Sequence, residues 1–359
     1  MQTMAADSWH NPAMRCSPTA PTHPWIDGHL DLAYIAMRGG DVDRAPAPGE
    51  ARCVSLPALR SGRVRLILAT LFVERGPEGR GMPWGYDGEA PDSARAAALR
   101  QLEWYEELER RGRARIIRTR DDLDALMGAG RESPLGLVLL MEGADPVRSA
   151  DDVAFWHARG VRVIGLTWAL GSRWAGGNAT GGALRDGAEG VIRAMDALGI
   201  VHDASHLSDE SFDGLLAVTR ARVIASHSNA RALLRAPTPP ARPDRHLTDR
   251  QMRLIANRGG IIGLNLYGRF LASGRDATLH DAVAHLQRVA SVAGRATCVL
   301  GSDFDGGFGP DQVPEGVRGP DQLDALTTAL ASSGWSARER ESFAWRGWHD
   351  LLRDALPRA

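Results

Sequence analysis

Lysine is absent from this chain of 359 residues, and all 43 of its Lys and Arg positions are Arg. A chain without Lys has neither a Schiff-base amine nor a phosphate-loop ammonium group. It also lacks the carbamylated lysine that bridges two metal ions in many hydrolases. Cationic recognition therefore falls to Arg, whose guanidinium stays protonated and forms forked contacts with carboxylates.

Cysteine, net charge and long apolar runs are also scarce. The three Cys residues are scattered and suggest no disulfide framework. The formal net charge of −1 gives no field that would recruit nucleic acid or an anionic membrane. No apolar run has the length of a membrane span, and the start of the chain does not resemble a signal peptide. We therefore expect a cytoplasmic protein with neither a nucleic-acid nor a membrane partner.

Eight short, β-branched apolar runs are spread evenly along the chain. Continuous runs of this kind are typical of strands buried on both faces of a parallel sheet, and helix-like stretches separate most of them. The pattern predicts an α/β fold, a (β/α)8 TIM-type barrel, with an open doubly wound sheet as the alternative. The runs cover residues 25–26, 64–73, 135–141, 161–167, 200–204, 223–225, 261–266 and 297–300.

Domain organisation is predicted to be simple. Residues 1–23 combine Met and Pro with polar residues and indicate a loosely ordered N-terminal arm. Residues 24–359 contain no clear linker or repeat and are predicted to form a single barrel domain that carries the active site. The Gly- and Pro-rich segments 76–92 and 236–244 are interpreted as loops.

Metal-binding and acid–base side chains stand where the predicted strands end. His29 and Asp31 are two residues apart, so on an extended strand they point to the same side. Glu142 follows the third run, where a carboxylate is costly to bury without a partner. Each such residue alone is more often structural, but barrel enzymes place their chemistry at these strand ends. The others that follow runs in this way are His206, His227 and Asp303.

The number of these donors exceeds the needs of one tetrahedral Zn²⁺. Three His and two or three carboxylates suit two ions that share a carboxylate. Because the chain has no Lys, the shared ligand must be a carboxylate, and Glu142 is the candidate. Two ions about 3.5–4 Å apart activate a water between them near neutral pH. Asp303, if it is not a ligand, would then act as the acid/base.

The stretches around these residues resemble the membrane (renal) dipeptidase family of zinc-dependent dipeptidases. The resemblance runs from about Trp25 to Gly306 and implies a (β/α)8 barrel with two Zn²⁺ ions per chain. It implies that one ion is held by His29, Asp31 and Glu142, and the other by Glu142, His206 and His227. The matching stretches are IDGHLDL, LMEG, GVRVIGLTW, DASHLS, ASHSNARAL, RHLTD, GGIIGLNLY and GSDFDG.

The resemblance also implies how substrate is bound. Asp303 would shuttle protons, and Arg245 would grip the terminal carboxylate of a dipeptide. Trp168 stands where the family usually has a His that contacts substrate, and an indole N–H donates one hydrogen bond but cannot become cationic. His246 follows Arg245 where the family typically has Asn. Trp168 and Tyr267, which follow the fourth and seventh runs, are candidate substrate-binding residues.

The sequence and the resemblance together predict a binuclear zinc dipeptidase that hydrolyses small dipeptides, and dipeptides with a C-terminal D-residue are candidate substrates. A metal-dependent amidase or lactonase acting on another small substrate is the first alternative, and Trp168 keeps it open. A degenerate barrel without catalysis is the second, although the full ligand set argues against it. A homodimer is compatible with the sequence.

Overall fold

Eight short parallel strands succeed one another in chain order in this computed structural model, which describes residues 23–47, 49–75, 82–87, 91–130, 132–235 and 243–358. The predicted (β/α)8 barrel is confirmed, and each predicted apolar run overlaps a strand. The strands are β1 Trp25–Leu30, β2 Val64–Phe72, β3 Leu135–Glu142, β4 Val161–Gly165, β5 Val201–Asp203, β6 Val223–Ile224, β7 Ile262–Leu264 and β8 Cys298–Leu300.

The barrel is closed at two places, between β6 and β7 and between the segment after β8 and β1. Strands β1–β6 form one parallel sheet and β7–β8 a parallel pair, and a bridge between Ala225 and Ile262 joins the two. At the second place, the buried Asp27 carboxylate of β1 accepts the Ser302 N–H at 2.8 Å and the Ser302 hydroxyl at 2.5 Å. A side chain therefore links the segment after β8 to β1.

Helices cover the outside of the barrel. The predicted N-caps of two of them are observed, since the side chains of Ser208 and Thr248 accept the N–H groups of Ser211 and Gln251. In the described ranges the helices are α1 Leu32–Met37, α2 Leu56–Ser61, α3 Pro91–Arg110, α4 Arg120–Gly128, α5 Val153–Ala158, α6 Ala188–Leu198, α7 Asp209–Val218, α8 Asp249–Asn257, α9 Leu279–Ala293, α10 Asp324–Ser332, α11 Ala337–Glu341 and α12 Gly347–Ala355.

Short strands lie beside the barrel strands. One pairs in parallel with β3, two form a small parallel pair after β2, and two form an antiparallel hairpin after β4. They are Ala114–Ile116, then Glu74–Arg75 with Gly85–Tyr86, and Ala175–Gly177 with Gly181–Leu184. Residues 1–22, most of the predicted loop 76–92, and residues 236–242 of the second predicted loop lie outside the described residues.

Alternation along the strands decides which side chains enter the barrel. Leu66 and Leu68 of β2 belong to the interior cluster, as do Val138 and Leu140 of β3, while the residues between them pack toward the helices. Because side chains alternate with a period of two, the next inward position of β3 is Glu142. The strand pattern therefore puts this carboxylate inside the barrel at its C-terminal end.

Helix α12 closes the opposite end of the barrel. Its residues Trp348, Leu351 and Leu352 belong to the interior cluster. Trp348 is fully buried, and its indole N–H donates to the Leu300 carbonyl at 2.7 Å. A Cβ at Gly28 of β1 would lie 2.1 Å from the Trp348 ring, so only glycine fits beneath it. No described helix combines the length and apolar character of a membrane span.

We predict that Trp348→Ala lowers the free energy of unfolding by about 3–5 kcal/mol, because it opens a cavity in the barrel floor and removes a buried hydrogen bond. Urea denaturation measures the change. Asp350→Ala, on the 72% exposed side chain two residues along α12, is the control and should change stability by only about 0.5 kcal/mol. Equal losses of stability in the two variants would contradict the conclusion that Trp348 closes this end of the barrel.

Candidate metal centre and substrate cavity

The six strand-end residues singled out from the sequence meet at one place in the structure. A cavity of about 660 Å³ lies at the C-terminal end of the barrel, and five of the six side chains line it. The sixth is fully buried and contacts two of the others. The lining residues are Asp31, Glu142, His206, His227 and Asp303, and the buried one is His29.

Glu142 lies between the imidazoles and presents one carboxylate oxygen to each side. Its Oε2 lies 3.5 Å from Nε2 of His29. Its Oε1 lies 3.0 Å from Nε2 of His206 and 3.5 Å from Nε2 of His227. Asp31 Oδ1 lies 3.8 Å from the same Nε2 atom of His29. Glu142 is therefore positioned to share its two oxygens between two groups of donors.

The donor atoms of these side chains are crowded together and incompletely hydrogen-bonded, which suits the binding of a cation. Nε2 of His206 and Nε2 of His227 are 3.0 Å apart, and the rings of His29 and His227 are stacked with centroids 3.7 Å apart. Nε2 of His29 is buried without a hydrogen-bond partner. Ligand atoms of His29, Glu142 and His227 lie within 4.8 Å of one another. Nitrogen and oxygen donors in this arrangement suit Zn²⁺.

The electrostatics of the site also favour a cation. Burial opposes the charged form of His29, but the carboxylates of Glu142, Asp31 and Asp303 outweigh it and raise the His29 pKa to about 10. Burial raises the pKa of Asp303 to about 8, and the negative charges of Asp31 and Glu142 add to the rise. The raised pKa of His29 reports the negative charge of the carboxylates around it, which a bound metal ion would neutralise.

Asn178 orients the His206 ring. His206 Nδ1 lies 2.9 Å from Oδ1 of Asn178, which follows the first strand of the hairpin Ala175–Gly177 and Gly181–Leu184. Burial lowers the pKa of His206 to about 4, so its imidazole is neutral, the form that binds metal. The sequence does not point to Asn178, because an Asn in a Gly-rich loop has no spacing that indicates a contact with a metal ligand.

Ser226 connects two further imidazoles to a carboxylate. Its hydroxyl lies 2.8 Å from Nδ1 of His227 and 3.4 Å from Nδ1 of His29, and it donates to Asp203 Oδ2 at 2.5 Å. The sequence suggests that Asp203 and Asp305 orient ligand imidazoles. Asp203 acts through Ser226, whereas Asp305 accepts backbone N–H groups from the segment before α2.

Two of the acids that line the cavity, Asp31 and Asp303, are held by neutral donors. The Thr70 hydroxyl donates to Asp31, and Asn265 Nδ2–H donates to Asp303 Oδ2 at 2.8 Å. Asp303 has a left-handed backbone with φ of 61°, and a Cβ at Gly306 would lie 2.0 Å from its Oδ1. Asp303 therefore has a fixed orientation at the cavity wall.

Arg245 lies in the cavity wall, where the sequence predicts a substrate-binding residue. It is only 8% exposed, its Nη1–H donates to the His227 carbonyl at 2.9 Å and to the Ser228 hydroxyl at 3.3 Å, and its Nε has no partner. The guanidinium carbon lies 4.8 Å from the centre of the Phe270 ring. Burial lowers the pKa of Arg245, and Asp303 is the first of the acids that oppose this effect.

Trp168 and Tyr267 also line the cavity, each packed against a different aromatic ring. The Trp168 ring packs edge-to-face against Phe72 with centroids 5.3 Å apart, and Tyr267 stacks on Phe308 at 4.5 Å. His246 is not among the lining residues and packs edge-to-face against Phe270 at 5.0 Å. The sequence analysis also missed the part of the wall that α1 and the segment after β2 provide, which includes Tyr34, Arg38, Glu74 and Trp84.

Buried imidazoles and carboxylates at the C-terminal end of a (β/α)8 barrel define the class of metal-dependent barrel hydrolases. A family model of the membrane dipeptidases (peptidase family M19) matches residues 15–354, and the chain belongs to this family. It is therefore a metallo-dipeptidase, a metal-dependent hydrolase of peptide bonds.

Relatives cover most of the chain. A Klebsiella pneumoniae protein, known as an uncharacterized protein in the pqqA 5′ region, is 30% identical over 256 residues, which are 68% of this chain and 89% of that protein. An uncharacterized dipeptidase of Schizosaccharomyces pombe is 32% identical over 205 residues, 55% of this chain and 46% of that protein.

A solved structure shares the fold. The metallopeptidase of Rhodobacter sphaeroides, liganded with a phosphinate mimic of the dipeptide L-Ala-D-Ala, superposes with a TM-score of 0.79 at 24% identity. The superposition covers 92% of this chain and 99% of that one.

We predict that Asn178→Ala weakens metal binding at this site by about 10–100-fold, the usual effect of removing the group that orients a ligand imidazole. Competition with a chromophoric chelator measures the affinity of the metal-free protein. Asn257→Ala, at an exposed position in α8, is the matched control and should bind as wild type does. An Asn178 variant with unchanged affinity would show that His206 does not depend on this contact.

Proposed function

We propose that this protein is a binuclear zinc dipeptidase whose two ions share Glu142. One ion would be held by His29, Asp31 and Glu142, and the other by Glu142, His206 and His227. The observation that carries the proposal is the position of the Glu142 carboxylate, with Oε2 3.5 Å from His29 and Oε1 3.0 Å from His206. Imidazole and carboxylate donors are the ligands of catalytic zinc sites, which supports zinc as the metal.

Two Zn²⁺ ions held at this site would supply Lewis acidity toward the scissile carbonyl and would make a water molecule acidic enough to act as the nucleophile. The residues of the chain do the rest. Asp303 takes the proton of the attacking water and passes it to the leaving nitrogen. The hydrogen bond from Asn265 orients the Asp303 carboxylate for this role. Its raised proton affinity, which is due first to burial, suits a group that holds and then releases a proton.

The substrate is held at its ends. The buried Arg245 guanidinium, whose Nε has no partner, would bind the free carboxylate of the C-terminal residue through charge-assisted hydrogen bonds. Trp168 and Tyr267, which both line the cavity, would contact the peptide. A cavity of about 660 Å³ suits a dipeptide rather than a long chain. The L-Ala-D-Ala mimic bound by the Rhodobacter sphaeroides relative supports acceptance of a C-terminal D-residue.

The proposal extends to the compartment, the domain organisation and the partners of the enzyme. We infer a cytoplasmic dipeptidase with a single barrel domain over residues 24–359, an N-terminal arm over residues 1–23, and no nucleic-acid or membrane partner. Cys53 and Cys298 are free thiols, which is compatible with a reducing compartment. A homodimer is the assembly we propose to test by light scattering.

A dipeptide panel tests the proposed activity. Zinc-loaded protein should release amino acids from dipeptides with an L-residue first and an L- or D-residue second. Chelation should abolish this release, and Zn²⁺ should restore it. Failure to hydrolyse any dipeptide in protein shown to contain zinc would overturn the substrate assignment. Faster turnover of lactones or simple amides in the same preparation would favour the alternative hydrolase.

We predict that Arg245→Met lowers kcat/KM for dipeptides by about 30-fold to several thousand-fold, because losing one partner of a buried charged pair costs about 2–5 kcal/mol. Steady-state kinetics with each dipeptide and its C-terminal amide measure the effect. Wild type should strongly prefer the free acid, and the variant should lose this preference. A variant that still prefers the free acid would mean that another group binds the carboxylate.

A further inference from the structure

Arg38 is a cation on the cavity wall without a carboxylate partner in the part of the chain that the structure describes. Its side chain is exposed and lines the cavity. Its one described hydrogen bond is from Nη1–H to the Tyr34 hydroxyl, at 3.3 Å. By contrast, some exposed guanidiniums form ion pairs, as Arg44 does with Glu50 at 3.0 Å. The charge of Arg38 is therefore available to a molecule in the cavity.

Aromatic rings hold the Arg38 guanidinium at this wall. Its carbon lies 5.3 Å from the centre of the Tyr34 ring and 6.0 Å from that of Trp84, within the range of cation–π attraction. Tyr34 and Trp84 pack edge-to-face at 5.4 Å, and Trp84 Nε1–H donates to Glu74 Oε2 at 3.2 Å. The carboxylate of Glu74 thus steadies the ring beneath Arg38.

The order of the barrel strands locates this wall relative to the substrate. Arg245 follows β6, and in a ring of eight strands β2 lies across from β6. Phe72 ends β2, Trp84 follows it, and Arg38 directly follows α1. If Arg245 binds the carboxylate of the C-terminal residue, the N-terminal residue extends toward the wall that carries Arg38. Between them, Trp168 and Phe72 give this side of the cavity an apolar lining.

We propose that Arg38 recognises a side-chain carboxylate on the N-terminal residue of the dipeptide, so that the enzyme prefers acidic first residues. The inference rests on the proposed dipeptidase function. The methylenes of a Glu or Asp side chain would pack on the aromatic wall, and the carboxylate would accept hydrogen bonds from the planar guanidinium. The Tyr34 hydroxyl and the two rings orient that guanidinium before substrate binds, which lowers the entropy lost on binding.

Kinetics on isosteric substrates test this recognition. Glu-Ala and Gln-Ala differ by one charge at nearly constant shape, and Asp-Ala with Asn-Ala is a second such pair. Wild type should prefer each acidic dipeptide by about tenfold in kcat/KM, which corresponds to ~1.4 kcal/mol. Arg38→Met should reduce this ratio to about one. Arg38→Glu should reverse the preference toward Lys-Ala. Arg253→Met, at an exposed position of α8 outside the cavity lining, is the control and should keep the wild-type ratio.

The outcomes distinguish the role of Arg38 from the dipeptidase function. Wild type that hydrolyses Gln-Ala and Glu-Ala equally well would overturn the role of Arg38 and leave the dipeptidase function intact. An acidic preference that survives in both Arg38 variants would also overturn it. Absence of hydrolysis of any dipeptide by wild type would overturn the proposed function itself. Circular dichroism of each variant establishes that the barrel is folded.

Discussion

The buried carboxylate of Glu142 is the constraint on which the rest of the site depends. Strand alternation turns it into the barrel, where it lies within 3.5 Å of three imidazoles. A buried ionised carboxylate is costly unless positive charge compensates it. Burial opposes the ionised form of Glu142, but His29 and His206 outweigh burial and lower its pKa well below the usual value. Metal ions would supply the compensation more completely, since the imidazoles could then remain neutral.

The surrounding network follows from this requirement. A neutral imidazole binds metal through one nitrogen, and its second nitrogen needs a partner to fix the ring. Asn178 serves His206, and Ser226 serves His227 with Asp203 behind it. The closed lower end of the barrel, plugged by Trp348, keeps this network away from bulk water. Barrel stability and ligand orientation are thus connected through the same strands.

The fold and the donor set were accessible from the sequence because both depend on local patterns. Eight apolar runs predicted the eight strands, and residues directly after those runs, such as His227 and Asp303, had to meet at one end of the barrel. The absence of Lys limited the bridging group to a carboxylate. Asn178 and Arg38 could not be found in this way, since loop conformation and packing between distant segments bring them to the cavity. Short helices such as α1 and α2, six residues each, lack a readable period.

The central claim is that Glu142 bridges two zinc ions, and anomalous X-ray diffraction at the zinc absorption edge tests it most directly. Crystals of zinc-loaded protein should give two anomalous peaks about 3.5–4 Å apart, with one oxygen of Glu142 directed to each. Crystals of the Glu142→Ala variant should lose this pair of peaks. A single peak in the wild-type protein, or two peaks that persist without the Glu142 carboxylate, would contradict the account.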